Sequence, residues 1–334
     1  MRYYIGIDGG ATKTAVCAAS IDDSSLRYAN TRGSSWREHG SWNVAHNLRE
    51  TVNSLIEGEN STIAGIVMGL PCYGESVEGD TELEQAVGDV FPGIPIYFAN
   101  DVEVGWAGSM ALEPGINIVA GTGSIAFGKD IYGNKARSGG WSEFFGDEGS
   151  CYWVGRKVME LFSKQADGRM VRDELYATVR REFNIQDDFN LIDIIHSGYI
   201  GYREQVAKLQ FLAEKSALAG SPSAKALYVE AVSELCLLVD AVRNQLDFGG
   251  GTFVVSYSGG LFRAGELVLP YFSKEMEKRG AKLSTPRFRP MEGAMMLAFQ
   301  HFYPGGLAQI LQIMKTQSEE ANHETYLYRN TRHA

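Results

Sequence analysis

The pattern of apolar and polar residues predicts short buried strands that alternate with amphipathic helices. Apolar runs suited to strands occur at residues 2–8, 14–20, 63–70 and 94–98, and helical spacing occurs at 43–57, 82–90 and 101–112. The run IAGIVMGL at 63–70 shows no polar alternation, which is typical of a strand covered on both faces. The alternation of strands and helices predicts an α/β fold.

The opening pattern returns after a break at residues 113–115. Apolar residues 116–120 lead into a glycine turn, and a second strand begins at residue 125, as in the first twenty residues. This weak repeat predicts a duplicated architecture. We predict an N-terminal domain at residues 1–113 and a C-terminal domain at residues 114–304. A C-terminal helix with a polar, partly disordered tail is predicted at residues 305–334.

Residues 151–248 are predicted to form a helical insertion in the second domain. Ser221 and Pro222 suit the N-cap and the first position of a long helix within this segment. A strand at 253–257 and a helix at 292–302 complete the pattern.

The composition is that of an ordinary globular protein, and its net charge bears on which kinds of partner it can bind. The 334 residues are 44% hydrophobic and 22% charged, with a net charge of −10. This acidic balance argues against a nucleic-acid interface, which needs a basic face. No apolar run reaches the ~20 residues that cross a bilayer, the N-terminus lacks a secretory pattern, and the four cysteines lack metal-binding spacing. We predict a cytoplasmic protein that binds small molecules and neither nucleic acid nor membrane.

The first glycine turn, in IGIDGGATKT at 5–14, is a candidate phosphate-binding site. A Walker loop would need G-x-x-x-x-G-K-[ST] with a glycine directly before the lysine and a helix after it, and neither that glycine nor the helix is indicated here. The remaining interpretation is a β-hairpin whose backbone at Gly9, Gly10 and Thr12 faces phosphate groups. Asp8 is then a candidate ligand of Mg²⁺ through water. A plain glycine hairpin that contains an acid is the alternative.

A second glycine turn, AGTGS at 120–124, makes a nucleotide the favoured ligand. It repeats the first turn in the second domain, so that two turns are available for one phosphate chain. A glycine pair follows a third strand, where bare backbone suits contact with a ribose or a base. The predicted ATP-contacting residues of the second domain are Gly121, Thr122, Gly123, Gly259 and Gly260.

Five segments together resemble the sugar-kinase/Hsp70/actin superfamily. They are IGIDGGATKT, ANDVEVGWAGS, GTGSIAFG, GGWSEFFGDEGSCYW and YSGGLF, and they occur in the order of that superfamily. Within it, the chain is similar to the N-acetylglucosamine kinases and BadF/BadG-type ATPases over about residues 1–300. The resemblance implies a two-domain actin-like ATPase (ribonuclease H-like) fold. Each domain would be a mixed β-sheet flanked by helices, and the two would bind ATP and an acceptor.

Asp101 is the predicted catalytic base. It follows the strand at 94–98 and opens a helix, so its carboxylate is expected at the carboxyl edge of the sheet, where α/β folds bind ligands. Phosphoryl transfer to a hydroxyl needs a carboxylate there to orient the nucleophile. Spacing alone leaves open that Asn100 or Asp101 only caps the helix. The resemblance favours catalysis by Asp101 and implies that Asn100 and Asp101 both contact the acceptor.

The segment at 139–150 resembles the acceptor loop of the family, in which glycine amides and an acid contact sugar hydroxyls. The resemblance therefore implies acceptor contacts by Gly140 and Asp147. The acids of this segment also suit the start of a helix at Ser150, because they favour its positive end.

The loop at 33–42 departs from the family pattern. Trp36, Arg37, Glu38 and His39 stand where N-acetylglucosamine kinases have an asparagine that contacts the sugar. The same loop is a candidate contact in a predicted homodimer.

The resemblance implies an ATP-dependent sugar kinase that uses Mg²⁺ and transfers the γ-phosphate to a primary hydroxyl of an amino sugar. N-acetylglucosamine, converted to its 6-phosphate, is the first candidate. Two alternatives stay open: an ATPase switch of the BadF type, and a kinase for glucosamine or another cell-wall-derived sugar. The switch proteins hold a shared iron–sulfur cluster with cysteines. No close cysteine pair occurs in this sequence, which favours the kinase.

Overall fold

The computed structural model describes residues 1–22, 24–56, 58 and 61–316. The polar tail predicted beyond residue 317 lies outside them. The described chain forms two units, one made of Met1–Glu113 with the residues from Arg287 onward, and one made of Pro114–Pro286.

The described residues contain ten strands and twelve α-helices with defined bounds, besides a helical segment at 307–316. The strands are β1 (Arg2–Gly9), β2 (Lys13–Ser20), β3 (Ser25–Arg32), β4 (Thr62–Leu70), β5 (Ile96–Asn100), β6 (Gly115–Ala120), β7 (Ser124–Lys129), β8 (Lys135–Gly139), β9 (Phe253–Ser258) and β10 (Ala281–Ser284). The helices are α1 (Trp36–His39), α2 (Ser41–Leu55), α3 (Val77–Val90), α4 (Asp101–Met110), α5 (Cys151–Ala166), α6 (Glu174–Phe183), α7 (Asn190–Gly198), α8 (Arg203–Lys208), α9 (Gln210–Leu218), α10 (Pro222–Arg243), α11 (Leu269–Lys278) and α12 (Pro290–Phe302). Short 3₁₀ segments occur at Gly260–Leu267 and Pro304–Gly306, and residues 307–316 are helical.

Each unit contains one five-stranded mixed sheet, and the two sheets have the same topology. The first has the order β3-β2-β1-β4-β5 and the second the order β10-β9-β6-β7-β8. Read from the other edge, the second order is β8-β7-β6-β9-β10, which matches the first strand for strand. In each sheet the first three strands of the unit form an antiparallel meander, and the last two strands add in parallel beside the first. This agreement confirms the duplicated architecture and the predicted fold class.

The first sheet is covered on both faces, as its unbroken apolar strands predict. On one face, α2 buries the side chains at its i, i+4 and i+8 positions, Val44, Leu48 and Val52, against the sheet. On the other face, the backbone of α12 lies directly on β1, because a Cβ at Gly6 would be 2.5 Å from the Met295 nitrogen.

The position of α12 corrects the predicted domain boundary. We expected residues 114–304 to form the second domain, but the second unit ends at Pro286 and α12 belongs to the first. The reason is the apolar surface of α12, which is buried from Met291 to Phe299. The Phe299 ring packs 4.7 Å from the ring of Tyr4 on β1. The helical insertion is α5–α10, between β8 and β9. No helix of the described residues is long and apolar enough to cross a membrane.

Candidate active site

The first glycine turn closes as a tight hairpin between β1 and β2. The Gly10 N–H donates to the carbonyl three residues on at 3.0 Å, and the Ser34 N–H donates to the Gly10 carbonyl at 3.0 Å. Gly9 has no room for a side chain, because a Cβ there would lie 2.2 Å from the Ser34 Oγ. Among the residues described, the amides of Ala11 and Thr12 donate to no protein acceptor. Two neighbouring N–H groups are therefore available to an anion.

The second glycine turn, between β6 and β7, is built in a similar way. The Gly121 N–H donates to the Gly123 carbonyl at 2.9 Å. Within the described chain, the amides of Thr122 and Gly123 have no protein acceptor. Gly259, at φ 107°, packs directly on this turn, because a Cβ there would lie 2.4 Å from the carbonyl that precedes Gly121. Gly260 lies beside the first residue of α5, whose N–H donates to the Gly121 carbonyl. The structure thus brings the five predicted ATP-contacting residues of this unit together.

Asp8 and Asp101 lie close together at the carboxyl edge of the first sheet. Asp8 pairs with Gly69 on β4, and Gly69 pairs with Ala99 on β5. Asp101 comes two residues after Ala99, just beyond the end of β5 and at the same edge of the sheet as Asp8. Burial, and after it the charge of Asp101, raises the pKa of Asp8 from 3.8 to about 7. Two carboxylates in one site are typical of functional centres, because each makes ionisation of the other less favourable.

The helix cap of α4 is Asn100 and not Asp101. The Asn100 Oδ1 accepts a hydrogen bond from the Val102 N–H at 3.2 Å, and its Nδ2 donates to the Tyr73 carbonyl at 2.8 Å. Both ends of the amide are therefore engaged within the protein, and contact between Asn100 and an acceptor stays a prediction. Asp101 occupies the first turn of the helix, where the positive end of the helix favours a carboxylate.

Asp147 is buried against the second glycine turn. It is 2% exposed, and its Oδ1 accepts a hydrogen bond from the Ser124 N–H at 3.1 Å while its Oδ2 pairs with Arg203. Burial raises the pKa of Asp147, and the Arg203 charge and the Ser124 N–H offset part of that rise. Gly140, directly after β8, lies beside the start of β7, because its N–H donates to the Ser124 carbonyl at 2.9 Å. Gly140 and Asp147 are thus joined through Ser124.

Arg203, beside the second glycine turn, is a residue that sequence patterns did not reveal. It is the first residue of α8, and its guanidinium also lies against the turn, because a Cβ at Gly123 would be 2.7 Å from it. Arg203 is separated from Asp147 by 56 residues of the helical insertion. No local motif marks such a pair, and only the packing of α8 on α5 brings it together.

Trp36, in the loop whose sequence differs from the family pattern, packs into the first unit. Its ring fills the space beside α3, since a Cβ at Gly79 would lie 2.2 Å from it. The ring is therefore used for packing. The rest of α1 stays next to the first turn, where the His39 Nε2 lies 3.4 Å from the Ala11 carbonyl.

Comparison with known proteins gives a family match. The model of the BadF/BadG/BcrA/BcrD ATPase family matches residues 5–298. The chain belongs to this family.

Two curated relatives of this BadF/BadG/BcrA/BcrD family member are named as kinases. One is an N-acetylmuramic acid/N-acetylglucosamine kinase from Clostridium acetobutylicum, 28% identical over 78% of this chain and 86% of its own length. Another is an N-acetyl-D-glucosamine kinase from Dictyostelium discoideum, 25% identical over 88% of this chain and 97% of its own length. The crystal structure of a protein from Chromobacterium violaceum, provisionally named N-acetylglucosamine kinase, superposes with a TM-score of 0.69 at 24% identity. It covers 89% of this chain and 99% of its own. The last comparison shows the fold.

The acid pair of this ATPase-family site fits magnesium. Mg²⁺ takes one or two carboxylates and keeps several waters, and Asp8 and Asp101 supply carboxylates at one sheet edge. A cation would also relieve the repulsion that raises the pKa of Asp8. In the described ranges, no group of three or more His, Cys, Asp or Glu side chains is placed to hold a metal without water.

Proposed function

We propose that the protein is an ATP-dependent kinase that phosphorylates the primary hydroxyl of an amino sugar, with N-acetylglucosamine as the reference substrate and its 6-phosphate as product. The observation that carries the proposal is the position of Asp101. It stands in the first turn of α4, beside Asp8 and the first glycine turn, with the capping role taken by Asn100. The names of the two curated relatives support the substrate class.

Asp101 acts on the acceptor in this proposal. Its carboxylate accepts a hydrogen bond from the primary hydroxyl and orients the oxygen for in-line attack on the γ-phosphorus. The new bond joins the sugar oxygen to phosphorus, the bond from phosphorus to the β–γ bridging oxygen breaks, and ADP leaves. The hydroxyl proton passes to the Asp101 carboxylate late in the transfer.

Each glycine turn supplies backbone donors for phosphate oxygens in this proposal. The amides of Ala11 and Thr12 and those of Thr122 and Gly123 are the donors for phosphate oxygens, and Gly259 and Gly260 leave bare backbone for the nucleoside. Asp8 would hold Mg²⁺ through water, and the ion would neutralise charge on the phosphate oxygens. The cytoplasmic location and the homodimer stay predictions from the sequence.

A sugar panel with ATP tests the proposal. Release of ADP is followed in a coupled assay, and the product is identified by mass spectrometry, for N-acetylglucosamine, N-acetylmuramic acid, glucosamine, N-acetylmannosamine and glucose. We expect ADP release to depend on an N-acetylated amino sugar and to yield its 6-phosphate in equal amount. Hydrolysis of ATP that no sugar changes would favour the ATPase switch and contradict the kinase.

A further inference from the structure

The second unit contains a cavity that the proposed reaction does not use. Its volume is about 260 Å³, and it lies between the loop at 139–150, helix α5 and the segment that joins α7 to α8. Its aromatic lining residues are Phe144, Tyr152, Tyr199 and Tyr202, and its charged ones are Glu143, Arg156 and Arg203. Sites for drug-sized ligands have volumes of roughly 300–1,000 Å³. The smaller cavity therefore suits a group of the size of one sugar ring.

The cavity adjoins Asp147, the predicted acceptor contact. Arg203 lines the cavity and also pairs with the Asp147 carboxylate. Glu143 and Phe144 belong to the same loop as Gly140 and Asp147. A group attached to a sugar at Asp147 is therefore separated from the cavity by one side chain.

The walls of the cavity are in place without a ligand. Helix α8 packs directly on α5, because a Cβ at Gly155 would lie 2.0 Å from the Val206 carbonyl. The ring of Tyr199 packs edge to face on that of Phe183, with the centroids 5.9 Å apart. Tyr152 and Tyr199 both pack against the hydrophobic core of the unit. Such a preformed cavity needs little ordering when a ligand binds.

The charged groups around the cavity balance one another. Arg203 pairs with Asp147, and its Nε lies 3.7 Å from a Glu143 oxygen. Arg156 is exposed and makes no hydrogen bond or ion pair within the described residues. Two arginines thus stand against two carboxylates, so the local charge does not select an anion. The same groups can act as hydrogen-bond partners for the hydroxyls of a neutral ligand.

The aromatic residues of the cavity suit a sugar ring. Phe144 is 89% exposed and Tyr202 is 61% exposed, so their rings contribute little to the core. In the part of the chain that the structure describes, the hydroxyls of Tyr152, Tyr199 and Tyr202 have no hydrogen-bond partner. The face of an aromatic ring carries partial negative charge and attracts the weakly positive C–H groups on the face of a pyranose. Polar groups beside such rings can then bind the hydroxyls at the edge of the sugar.

We propose that this cavity is a subsite for a second sugar ring linked to the one that is phosphorylated, so that the protein favours disaccharides of amino sugars over the monosaccharide. This inference rests on the proposed kinase activity, and the bonds formed and broken are those of transfer to the monosaccharide. The probe is the β-1,4-linked dimer of N-acetylglucosamine, which is neutral and carries primary hydroxyls. The methyl β-glycoside of N-acetylglucosamine is the comparison, because it substitutes the first carbon without adding a ring.

The experiment measures kcat and KM for N-acetylglucosamine, its methyl glycoside and the dimer, and locates the phosphate by fragmentation in the mass spectrometer. Wild-type protein should use the dimer with a kcat/KM about 10-fold above that for N-acetylglucosamine, chiefly through a lower KM. Phe144→Ala and Tyr202→Ala should each lower kcat/KM for the dimer by about 2- to 10-fold, the usual worth of one aromatic contact. Values for the two single-ring acceptors should change by less than about twofold, since they lose no contact. Tyr202→Phe keeps the ring and should keep the preference for the dimer.

Phe211→Ala is the matched control. Phe211 is an aromatic residue of α9 that is 57% exposed and does not line the cavity. Its removal should leave the preference for the dimer unchanged. Calorimetric titration of each variant with the dimer gives a readout besides turnover, and equal thermal stabilities exclude a folding defect.

Three outcomes would overturn the subsite. Wild-type protein could phosphorylate N-acetylglucosamine without preferring the dimer, or use the methyl glycoside as well as the dimer, in which case the kinase stands and the subsite fails. Phe144→Ala and Tyr202→Ala could lower the use of all three acceptors alike, which would make the two rings general supports of the loop. Phe211→Ala could cause the dimer-specific loss instead.

The titration separates failure of the subsite from failure of the kinase. If no sugar is phosphorylated, the kinase fails, and binding of the dimer then decides about the cavity alone. Binding that is weakened in Phe144→Ala and not in Phe211→Ala would keep the cavity as a site for a sugar. Absence of binding would remove it.

Discussion

Asp8 should make the ligand-free protein less stable as the pH rises from 4 to 7. Burial and then the charge of Asp101 raise the pKa of Asp8 from 3.8 to about 7. In the unfolded chain the same carboxyl ionises near the ordinary value of 3.8. Between these two values the unfolded state has released a proton that the folded state still holds. The free energy of unfolding therefore falls with rising pH across this window and levels off above it.

The size of the effect follows from the shift in pKa. A difference of about 3 pH units corresponds to about 4 kcal/mol once the carboxyl is ionised in both states. Asp8 is only partly buried, and solvent screening reduces the figure, so we expect about 2–4 kcal/mol. Asp8→Asn keeps the size of the side chain and removes its titration. The variant should gain stability over wild type steadily from pH 4 to 7, with no further gain above pH 8.

Thermal unfolding of both proteins from pH 4 to 8.5, without nucleotide or magnesium, measures this difference. Fixed packing effects of the substitution cancel, because only the change with pH is compared. Asp89→Asn, an exposed acid of α3, is the control and should give a nearly constant difference. Parallel curves for wild type and Asp8→Asn would show that Asp8 is ionised at ordinary pH, and the argument from burial and Asp101 would be wrong.

Three further substitutions test the remaining parts of the site. Asp101→Asn should lower kcat by about 10²–10⁴ with the KM for ATP nearly unchanged, as expected for a base that contacts only the acceptor; near-normal turnover would remove its catalytic role. Arg203→Gln leaves the buried Asp147 unpaired and should destabilise the protein by about 3 kcal/mol in thermal unfolding, whereas Arg169→Gln breaks an exposed pair and should cost under about 1 kcal/mol. Gly259→Ala should abolish binding of a fluorescent ATP analogue, because its Cβ would meet the second turn at 2.4 Å; an alanine at Gly250, which has a positive φ in open space, is the control that should still bind.

The glycine turns and the acids beside them could be predicted because they are local patterns. Each pattern is complete within about ten residues. One is a strand that ends in an acid and two glycines, and the other is a strand followed by Asn100 and Asp101. The parallel register then brings the two acids together, as expected for strand ends at one edge of a sheet.

The missed elements have weak local patterns for physical reasons. β3 is an edge strand with Leu26 as its one buried residue, so its sequence SLRYANTR lacks an apolar run. Helix α3 begins at Val77, five residues before the predicted start, because Ser76 caps it by accepting from the Gly79 N–H. Val77 is 85% exposed, so the first turn of α3 adds nothing to the amphipathic pattern.

The repeated units differ at the residue where the chemistry is expected. The last pair of the first hairpin is Gly9 with Thr14, and that of the second is Ala120 with Ser124. Asp8 therefore corresponds to the apolar residue before Ala120, and the second strand brings no acid to its turn. The acid there comes from a later loop, and Arg203 neutralises it.

Because only the first turn has an acid on its own strand, we expect the two turns to have different roles. At the first turn, two carboxylates repel each other, and a cation bound there would be stabilised by both. At the second turn, the charge of Asp147 is already balanced by Arg203, so this turn offers its amides and bare glycine backbone to a phosphate chain without strong repulsion from an acid. We propose accordingly that the first unit supplies the metal site and the proton acceptor besides phosphate donors, and that the second supplies phosphate donors and the contacts to the nucleoside. Substitutions at Asp8 and Asp101 should change magnesium dependence and turnover, while those at Gly259 and Arg203 should change nucleotide affinity. A variant of the second turn that altered only the magnesium requirement would contradict this division.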